Sequence, residues 1–236
     1  MTATPLLAKD IDFLQVYEPA EDTFALLDSL EEDSKTWAAS PKICLEVGCG
    51  TGMALAFLGK LLSKSTGADG VKRSQACPLL LATDLNPYAA ITASSTLKQN
   101  QLSGDIIQCD LVGPLMARLS GKIDILLFNP PYVPTESDEV YKGGQLEQDT
   151  SGGVCKEAIA ASWAGGIDGR EVIDRLLPLL PSLLSPDGMA YLVTVNENKP
   201  HEIADDIASS LGLKGEIKLI RRAGRERLHI VKLFRS

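Results

Sequence analysis

The stretch Ile-Asp-Ile-Leu-Leu-Phe-Asn-Pro-Pro-Tyr, residues 123–132, decides the fold. Its first six residues are mainly apolar and predict a buried parallel strand. Two prolines then end the strand, because proline lacks a backbone N–H and has a fixed φ. Asn129 is therefore expected at the carboxyl end of a strand, the edge at which open α/β sheets carry their ligand crevices. The Asn129 side-chain carbonyl, a rigid backbone carbonyl of the prolines and the Tyr132 ring together suit binding of a planar group that bears an NH2.

The composition of the 236-residue chain predicts one soluble α/β domain with a short appendage. No apolar run approaches 18 residues, and the N-terminus lacks the pattern of a signal peptide. We therefore expect a cytoplasmic or nuclear protein with no membrane segment. The formal net charge of −8 makes direct nucleic-acid binding unexpected, because phosphates require a positive surface. The basic run at residues 221–227 fits an exposed hairpin better than a phosphate site.

The cysteines are five in number, widely spaced and without a C-x-x-C pair. This pattern favours free thiols over a zinc site or disulfides, and no metal site is predicted. They are Cys44, Cys49, Cys77, Cys109 and Cys155.

A glycine-rich turn joins a predicted strand at residues 43–47 to a predicted helix at residues 53–62. Its sequence, Gly-Cys-Gly-Thr-Gly at residues 48–52, allows positive φ and close approach of a ligand to the backbone. Such a turn serves either NAD or S-adenosylmethionine (SAM). With Glu46 two residues before Gly48, the stretch Leu-Glu-Val-Gly-Cys-Gly-Thr-Gly at residues 45–52 resembles motif I of SAM-dependent methyltransferases, and this resemblance favours SAM.

Two further predicted strands, at residues 78–84 and 106–111, each carry an aspartate near the end. In sheets of this kind the carboxylate of Asp84 would accept hydrogen bonds from ribose hydroxyls. Its alternative role, capping the next helix, falls more naturally to Asn86, which precedes a proline. Asp110 would reach the adenine amino group while Leu111 packs on the ring; the alternative is a solvated loop aspartate.

The remaining segments complete an alternating β/α order. Residues 31–41 are interpreted as a polar linker, 63–76 as a flexible loop and 133–153 as a mobile loop beside the reaction site. Helices are expected after Pro19, at 87–99, at 113–121, from about 171 and at 200–211, with strands at 188–195, 215–221 and 227–234. Trp163 is interpreted as a structural anchor rather than a stacking platform.

Several motifs together resemble the eukaryotic and archaeal branch of HemK-type methyltransferases. They are Tyr-Glu-Pro-Ala-Glu-Asp-Thr at residues 17–23, Leu-Glu-Val-Gly-Cys-Gly-Thr-Gly at 45–52, Asn-Pro-Pro-Tyr at 129–132 and Trp-Ala-Gly-Gly-Ile-Asp-Gly-Arg-Glu at 163–171. The resemblance implies a Rossmann-like α/β fold, with a seven-stranded, mostly parallel sheet and helices on both faces. It also implies an N-terminal arm and lid-like helix at residues 1–40, packed on a SAM-dependent methyltransferase domain at 41–236.

The resemblance implies methyl transfer from SAM, with S-adenosylhomocysteine as product, to the glutamine side-chain nitrogen of the Gly-Gly-Gln motif in the translation termination factor. Asn129, Pro130 and Tyr132 would be catalytic, and with Pro131 they would bind the substrate. The Asn129 side-chain oxygen and the Pro130 carbonyl would accept the two N–H bonds of the amide. The cofactor contacts that the resemblance implies are Thr23, Glu46, Gly48, Gly50, Asp84, Asp110, Leu111 and Asn129.

The same resemblance implies a small zinc-binding activator as partner. A strand at 106–109 on a sheet edge would offer unpaired backbone groups for strand addition. The residues themselves leave three alternatives open, namely an adenine-N6 DNA or RNA methyltransferase, a protein lysine methyltransferase and a non-catalytic SAM-binding subunit. The tripeptide Gly-Gly-Gln at residues 143–145 matches the proposed substrate motif, and we interpret it as coincidence.

Overall fold

A computed structural model of the chain describes residues 2–37, 41–63, 78–144 and 162–235. Its centre is a seven-stranded sheet of order β3-β2-β1-β4-β5-β7-β6. The strands are β1 (Ile43–Val47), β2 (Leu79–Asp84), β3 (Gly104–Gln108), β4 (Ile123–Phe128), β5 (Leu184–Val195), β6 (Lys214–Ala223) and β7 (Glu226–Phe234). Strands β1 to β5 pair in parallel, while β7 runs antiparallel to β5 and β6. The predicted mostly parallel sheet is confirmed.

Helices pack on both faces of this sheet. They are α1 (Glu21–Asp33), α2 (Met53–Ser63), α3 (Pro87–Gln99), α4 (Met116–Leu119), α5 (Ser137–Gly144), α6 (Glu171–Leu176), α7 (Leu180–Leu183), α8 (Pro200–Glu202) and α9 (Ala208–Ser210). A π-helical segment, Ile203–Ile207, joins the last two. Within the described ranges, none of the helices has the length and apolar character that crossing a bilayer requires.

The central strand β4 shows why its sequence is apolar almost throughout. Ile125 and Leu127 lie in the hydrophobic cluster that α1, α2 and α3 cover. Leu126 and Phe128 point to the other face, into the cluster that α6 and α7 cover. Successive side chains of a strand point to opposite faces, so a strand covered on both sides needs apolar residues at every position. The strand ends at Phe128, which leaves Asn129 at the carboxyl edge as predicted.

The predicted polar linker at residues 31–41 is wrong at its start. Helix α1 continues to Asp33 and is followed by a 3-10 turn, Ser34–Thr36. Asp33 is buried, and its carboxylate pairs with the ammonium groups of Lys218 and Lys232, each at 2.7 Å. Two lysines from β6 and β7 thus supply the partners that a buried carboxylate needs. The local sequence around Asp33 does not reveal this pairing, because the two lysines lie about 190 residues further along the chain.

Two other boundaries differ from the prediction, while the first helix begins where it was expected. The loop expected at 133–153 contains helix α5, whose first turn carries Asp138 and Glu139, the charge that a helix N-terminus favours. Strand β3 ends at Gln108 rather than at Leu111, whose φ of 48° is incompatible with a strand. The first helix begins at Glu21, just after Pro19. The loop expected at 63–76 lies, apart from Ser63, outside the described residues, and so do Cys77, Cys155 and Gln145.

Candidate active site

A cavity of about 610 Å³ opens at the carboxyl ends of β1, β2 and β4. Helix α1 and the β6–β7 hairpin also contribute to its wall, through Asp22 and Glu226 among others. The volume is that of a small-molecule site. Each residue that the sequence assigned to the cofactor or the substrate lines this one cavity, namely Thr23, Glu46, Gly48, Gly50, Asp84, Asp110, Leu111, Asn129, Pro130, Pro131 and Tyr132. Their individual roles stay predictions.

The glycine-rich turn lies against the cavity in the conformation that its sequence allows. Gly48 and Gly50 have φ of 65° and 49°, values that favour glycine. A Cβ at Gly50 would meet no atom within 4 Å, so the backbone there faces open space. A Cβ at Gly52 would lie 2.8 Å from Ala93 of α3, so the third glycine serves packing. The first two glycines leave the backbone accessible to a ligand, and the third brings two helices together.

Glu46 is a buried carboxyl group at the cavity wall. Its Oε2 accepts a hydrogen bond from the Leu55 backbone N–H at 3.0 Å, within helix α2. Burial raises the pKa of Glu46 to about 8; the hydrogen bond from Leu55 opposes this rise and the nearby Asp84 adds to it. A cationic group entering the cavity would favour the ionised form.

Asp84, at the end of β2, links the glycine-rich turn to the start of α3 through hydrogen bonds. Its Oδ2 accepts from the Gly50 N–H and its Oδ1 from the Asn86 N–H, both at 2.9 Å. Burial raises the pKa of Asp84, although these hydrogen bonds oppose the rise. Asn86, not Asp84, caps α3, accepting from the Tyr88 N–H as predicted. The Cys49 thiol and the Leu85 backbone also form hydrogen bonds with this carboxylate, which lines the cavity and can accept from a ligand hydroxyl.

Asp110 and Leu111 follow the edge strand β3 and complete this end of the cavity. The Asp110 carboxylate forms an ion pair with Arg175 of α6, and both side chains are about half exposed. A ligand amino group would therefore meet a carboxylate that already has a partner.

Asn129 and Tyr132 converge on Asp22, a buried residue of the motif at 17–23 to which the sequence analysis assigned no role in the site. The Asp22 Oδ2 accepts from Asn129 Nδ2 at 3.0 Å, from the Tyr132 hydroxyl at 3.2 Å and from the Tyr17 hydroxyl at 3.0 Å. The Asn129 Oδ1 is buried and has no hydrogen-bond partner in the described part of the chain. A buried acceptor without a partner at a cavity wall is a site for an incoming donor.

The two tyrosines remain donors because their protons are firmly held. Burial raises the pKa of Tyr17 and of Tyr132 well above the ordinary value, and the charge of Asp22 raises both further. Neither phenol is a base at neutral pH.

The Trp-Ala-Gly-Gly segment lies beside the Asn-Pro-Pro-Tyr segment as a short parallel ladder. The Val133 N–H donates to the Trp163 carbonyl at 3.0 Å, and the Gly165 N–H donates to the Val133 carbonyl at 2.8 Å. A Cβ at Gly165 would lie 2.6 Å from the Pro131 carbonyl oxygen, so only glycine allows this approach. Trp163 also lines the cavity with its side chain 40% exposed, so its backbone anchors the turn while its ring stays accessible.

No family model matches the chain. Methyltransferase HEMK2 of Mus musculus is 43% identical over 224 residues, covering 95% of this chain and 92% of that protein. The chain belongs to the HEMK2 family of methyltransferases. The Schizosaccharomyces pombe protein named eRF1 methyltransferase catalytic subunit mtq2 is 35% identical over 234 residues, covering 95% of this chain and 91% of that protein.

A solved relative agrees with this membership of the HEMK2 family. The E. cuniculi Mtq2 structure, solved as a complex with Trm112, superimposes with a TM-score of 0.61 at 27% identity. The alignment covers 94% of this chain and 99% of that one. The chain is therefore a methyltransferase, and its Rossmann-like fold is that of a solved family member.

Proposed function

We propose that this HEMK2-family enzyme transfers the methyl group of SAM to the side-chain amide nitrogen of the glutamine in the Gly-Gly-Gln motif of a translation termination factor. The names of the fission-yeast relative and of the solved complex, both of which refer to eRF1, support this acceptor. The observation that carries it in this chain is the buried, unpartnered Oδ1 of Asn129 at the cavity wall. A primary amide nitrogen has two N–H donors for such an acceptor.

The cavity fits SAM at three places. Glu46 offers a buried carboxyl group for the ammonium group of SAM, and Asp84 can accept hydrogen bonds from the ribose hydroxyls. Asp110 can accept from the adenine amino group, while Leu111 packs on the face of the ring. The open backbone at Gly48 and Gly50 admits the amino-acid portion, and Thr23 borders it. Bound SAM supplies a methyl group on a positively charged sulfur, and S-adenosylhomocysteine is the product.

The chain's own contribution is to hold and orient the acceptor nitrogen. A carboxamide nitrogen is a weak nucleophile because its lone pair is delocalised into the carbonyl. If Asn129 Oδ1 and the Pro130 carbonyl accept its two N–H bonds, the lone pair points along the transfer direction. Such positioning can remove about 7–11 kcal/mol from a barrier in favourable cases. Pro131 and Tyr132 would pack against the flat amide, and the proton would leave after transfer.

A small zinc-binding activator is the proposed partner, and strand β3 is the proposed contact. The solved Mtq2 relative is in a complex with Trm112. Strand β3 lies at a sheet edge, as predicted, so one side of its backbone is unpaired within the sheet. Ile106 packs on the core, whereas Ile107 belongs to neither hydrophobic cluster. We expect Ile107→Asp to abolish co-purification with the activator, while the equivalent change at exposed Ile91 on α3 leaves it intact.

The test of the function is methyl transfer from labelled SAM by the chain co-purified with the activator. Three acceptors are compared: the termination factor, its Gly-Gly-Gln variant with the glutamine replaced by alanine, and duplex DNA. Label on the unaltered factor alone is expected. Label on DNA alone would contradict the proposed acceptor.

Because the acceptor works with ribosomes, we place the activity in the cytoplasm, with the nucleus as a second location.

The matched variant is Asn129→Ala. It removes one of the two hydrogen-bond acceptors proposed for the glutamine nitrogen, the only one of them that is a side chain, so transfer should fall below detection. Binding of SAM, measured by calorimetry, should remain nearly unchanged, because Glu46, Asp84 and the glycine-rich turn are intact. Equal loss of transfer and binding would contradict the division of roles.

A further inference from the structure

We infer that Asp22 is a positioning residue for the transfer reaction, because it determines which end of the Asn129 side-chain amide faces the cavity. The inference deepens the proposed function and rests on it. Asp22 does not meet the acceptor amide in this role; it acts through Asn129.

The argument begins with the two ends of the Asn129 amide, which have nearly the same shape but opposite hydrogen-bonding character. The neighbour at one end is the Oδ2 of Asp22, at 3.0 Å from Nδ2. An ionised carboxylate only accepts hydrogen bonds. The NH2 end must therefore face Asp22, and the carbonyl end must face away from it. That end is the Oδ1 atom that is buried without a partner in the described part of the chain.

Asp22 is itself fixed on several sides. Its side chain is 3% exposed, and its Oδ1 accepts from the Thr23 N–H at 2.6 Å, in the first turn of α1. The hydroxyls of Tyr17 and Tyr132 donate to the same Oδ2 as Asn129 does. Three donors around one oxygen leave no direction from which the Asn129 amide could present its own oxygen to Asp22. The four side chains thus form one network with a single allowed amide orientation.

The orientation matters because the acceptor nitrogen also carries donors. An Asn129 amide turned by 180° would point its own N–H groups at those of the substrate, which is repulsive. Changing Asp22 should therefore reduce the turnover number while the cofactor sites at Glu46 and Asp84 stay in place. Removing a single aligned electrostatic contact of this sort commonly costs about 10²–10³-fold in kcat.

The first variant is Asp22→Asn, which keeps the shape of the side chain. The new amide at position 22 can face Asn129 with either end, so the orientation of Asn129 is no longer imposed. We expect kcat to fall about 10²-fold, with the dissociation constant of SAM changed by less than about threefold. The control is Asp28→Asn on the same helix, where the carboxylate is 59% exposed and pairs with Arg221; it should keep full turnover.

The second variant exchanges the two residues, as Asp22→Asn combined with Asn129→Asp. The NH2 of the amide at position 22 can then donate to the carboxylate at 129, and the tyrosine hydroxyls, whose oxygens also accept hydrogen bonds, can turn to receive its second N–H. An acceptor oxygen faces the cavity again, so the exchange should recover at least about tenfold of the lost kcat. A purely structural role for Asp22 predicts that kcat falls further in the exchange variant, because a second substitution in the same buried network would destabilise it more.

The outcomes separate the inference from the function it rests on. Absence of transfer by the unaltered chain with its activator would contradict the proposed function. With the unaltered chain active, full turnover of Asp22→Asn would overturn the inference alone. A parallel loss of SAM binding and turnover, or an exchange variant no better than Asp22→Asn, would overturn it as well.

Discussion

Asn198 donates its side-chain N–H to the carbonyl oxygen of Tyr132 at 2.9 Å, across 66 residues of sequence. The same Nδ2 reaches the carbonyls of Asp168 and Gly169, and the Oδ1 accepts from the Val195 N–H at 2.7 Å. The side chain is completely buried. One amide therefore ties the end of β5, the Asn-Pro-Pro-Tyr segment and the turn before α6 to one another.

Replacing Asn198 by alanine should lower both stability and activity. Backbone groups of three segments would lose their partner in a buried place, and each unsatisfied group costs about 1–3 kcal/mol. We expect the free energy of unfolding to fall by about 3 kcal/mol, measured by urea denaturation. The matched control is Asn196→Ala, two residues away and exposed, which should change it by less than about 0.5 kcal/mol. Similar values for the two variants would contradict the importance of this contact.

Gly169 should not tolerate a side chain. Its φ is 66°, and a Cβ there would lie 1.9 Å from the Tyr132 carbonyl oxygen. We expect Gly169→Ala to abolish methyl transfer, because the Tyr132 backbone must move. Gly224→Ala in the β6–β7 turn is the control: its φ is 59°, but a Cβ would meet nothing within 4 Å, so only backbone strain of about 1–2 kcal/mol applies. Activity in Gly169→Ala equal to that of the control would refute the steric argument.

Binding of SAM should release a proton from Glu46. The pKa of about 8 keeps this carboxyl mostly protonated at pH 7, and the ammonium group of the cofactor favours the carboxylate. The affinity should therefore rise with pH until about pH 8. Calorimetry in buffers of different ionisation enthalpy should detect release of about one proton at pH 7. Glu46→Gln should bind more weakly with correspondingly less release; an unchanged release would assign the proton to another group.

Asp33 should contribute stability that is lost in acid. Burial alone would raise its pKa, but the hydrogen bonds from Lys218, Lys232 and Tyr191 outweigh burial and hold the pKa below the ordinary value. The contribution is therefore present above about pH 4 and disappears as the pH falls through the lowered pKa. Breaking a buried ion pair costs about 3–5 kcal/mol, so Asp33→Asn should lower the free energy of unfolding by that amount at pH 7.

The control for Asp33 is Asp28, which lies on the same helix and forms a surface ion pair with Arg221 of β6. Asp28→Asn should cost at most about 1 kcal/mol, since exposed ion pairs contribute little. Urea denaturation at pH 7 and pH 3 measures both variants. A loss at Asp33 that did not shrink between the two pH values would show that its charge is not the cause.

Local patterns in the sequence predicted the central strands and the glycine-rich turn, and the family resemblance supplied the seven-stranded sheet and site residues such as Thr23. The apolar run that ends at Asn129, the glycine-rich turn after β1 and the Asn86-Pro87 start of α3 each depend on neighbours in sequence, so their geometry was predictable. Every predicted site residue lines the one cavity.

The contacts that sequence reasoning missed join residues distant in the chain. Asp22 has the composition of an ordinary helix first turn, and its three donors come from Tyr17, Asn129 and Tyr132. Asn198 and Asp33 likewise find their partners only after the sheet is assembled. The available signal for Asp22 was the coincidence of two tyrosines and an asparagine in motifs assigned to the same site, since buried donors require an acceptor.

The ladder between Val133 and Ala164 has a consequence for how this family can change. Because hydrogen bonds join the two ends of the intervening segment, a change in its length leaves Asn129 and the cavity floor in place. Doubling the length of such a closed segment costs only about 0.6 kcal/mol in chain entropy. The outer rim of the site, to which Val140 and Trp163 belong, can therefore diverge toward new protein acceptors while the methyl-transfer chemistry is inherited unaltered.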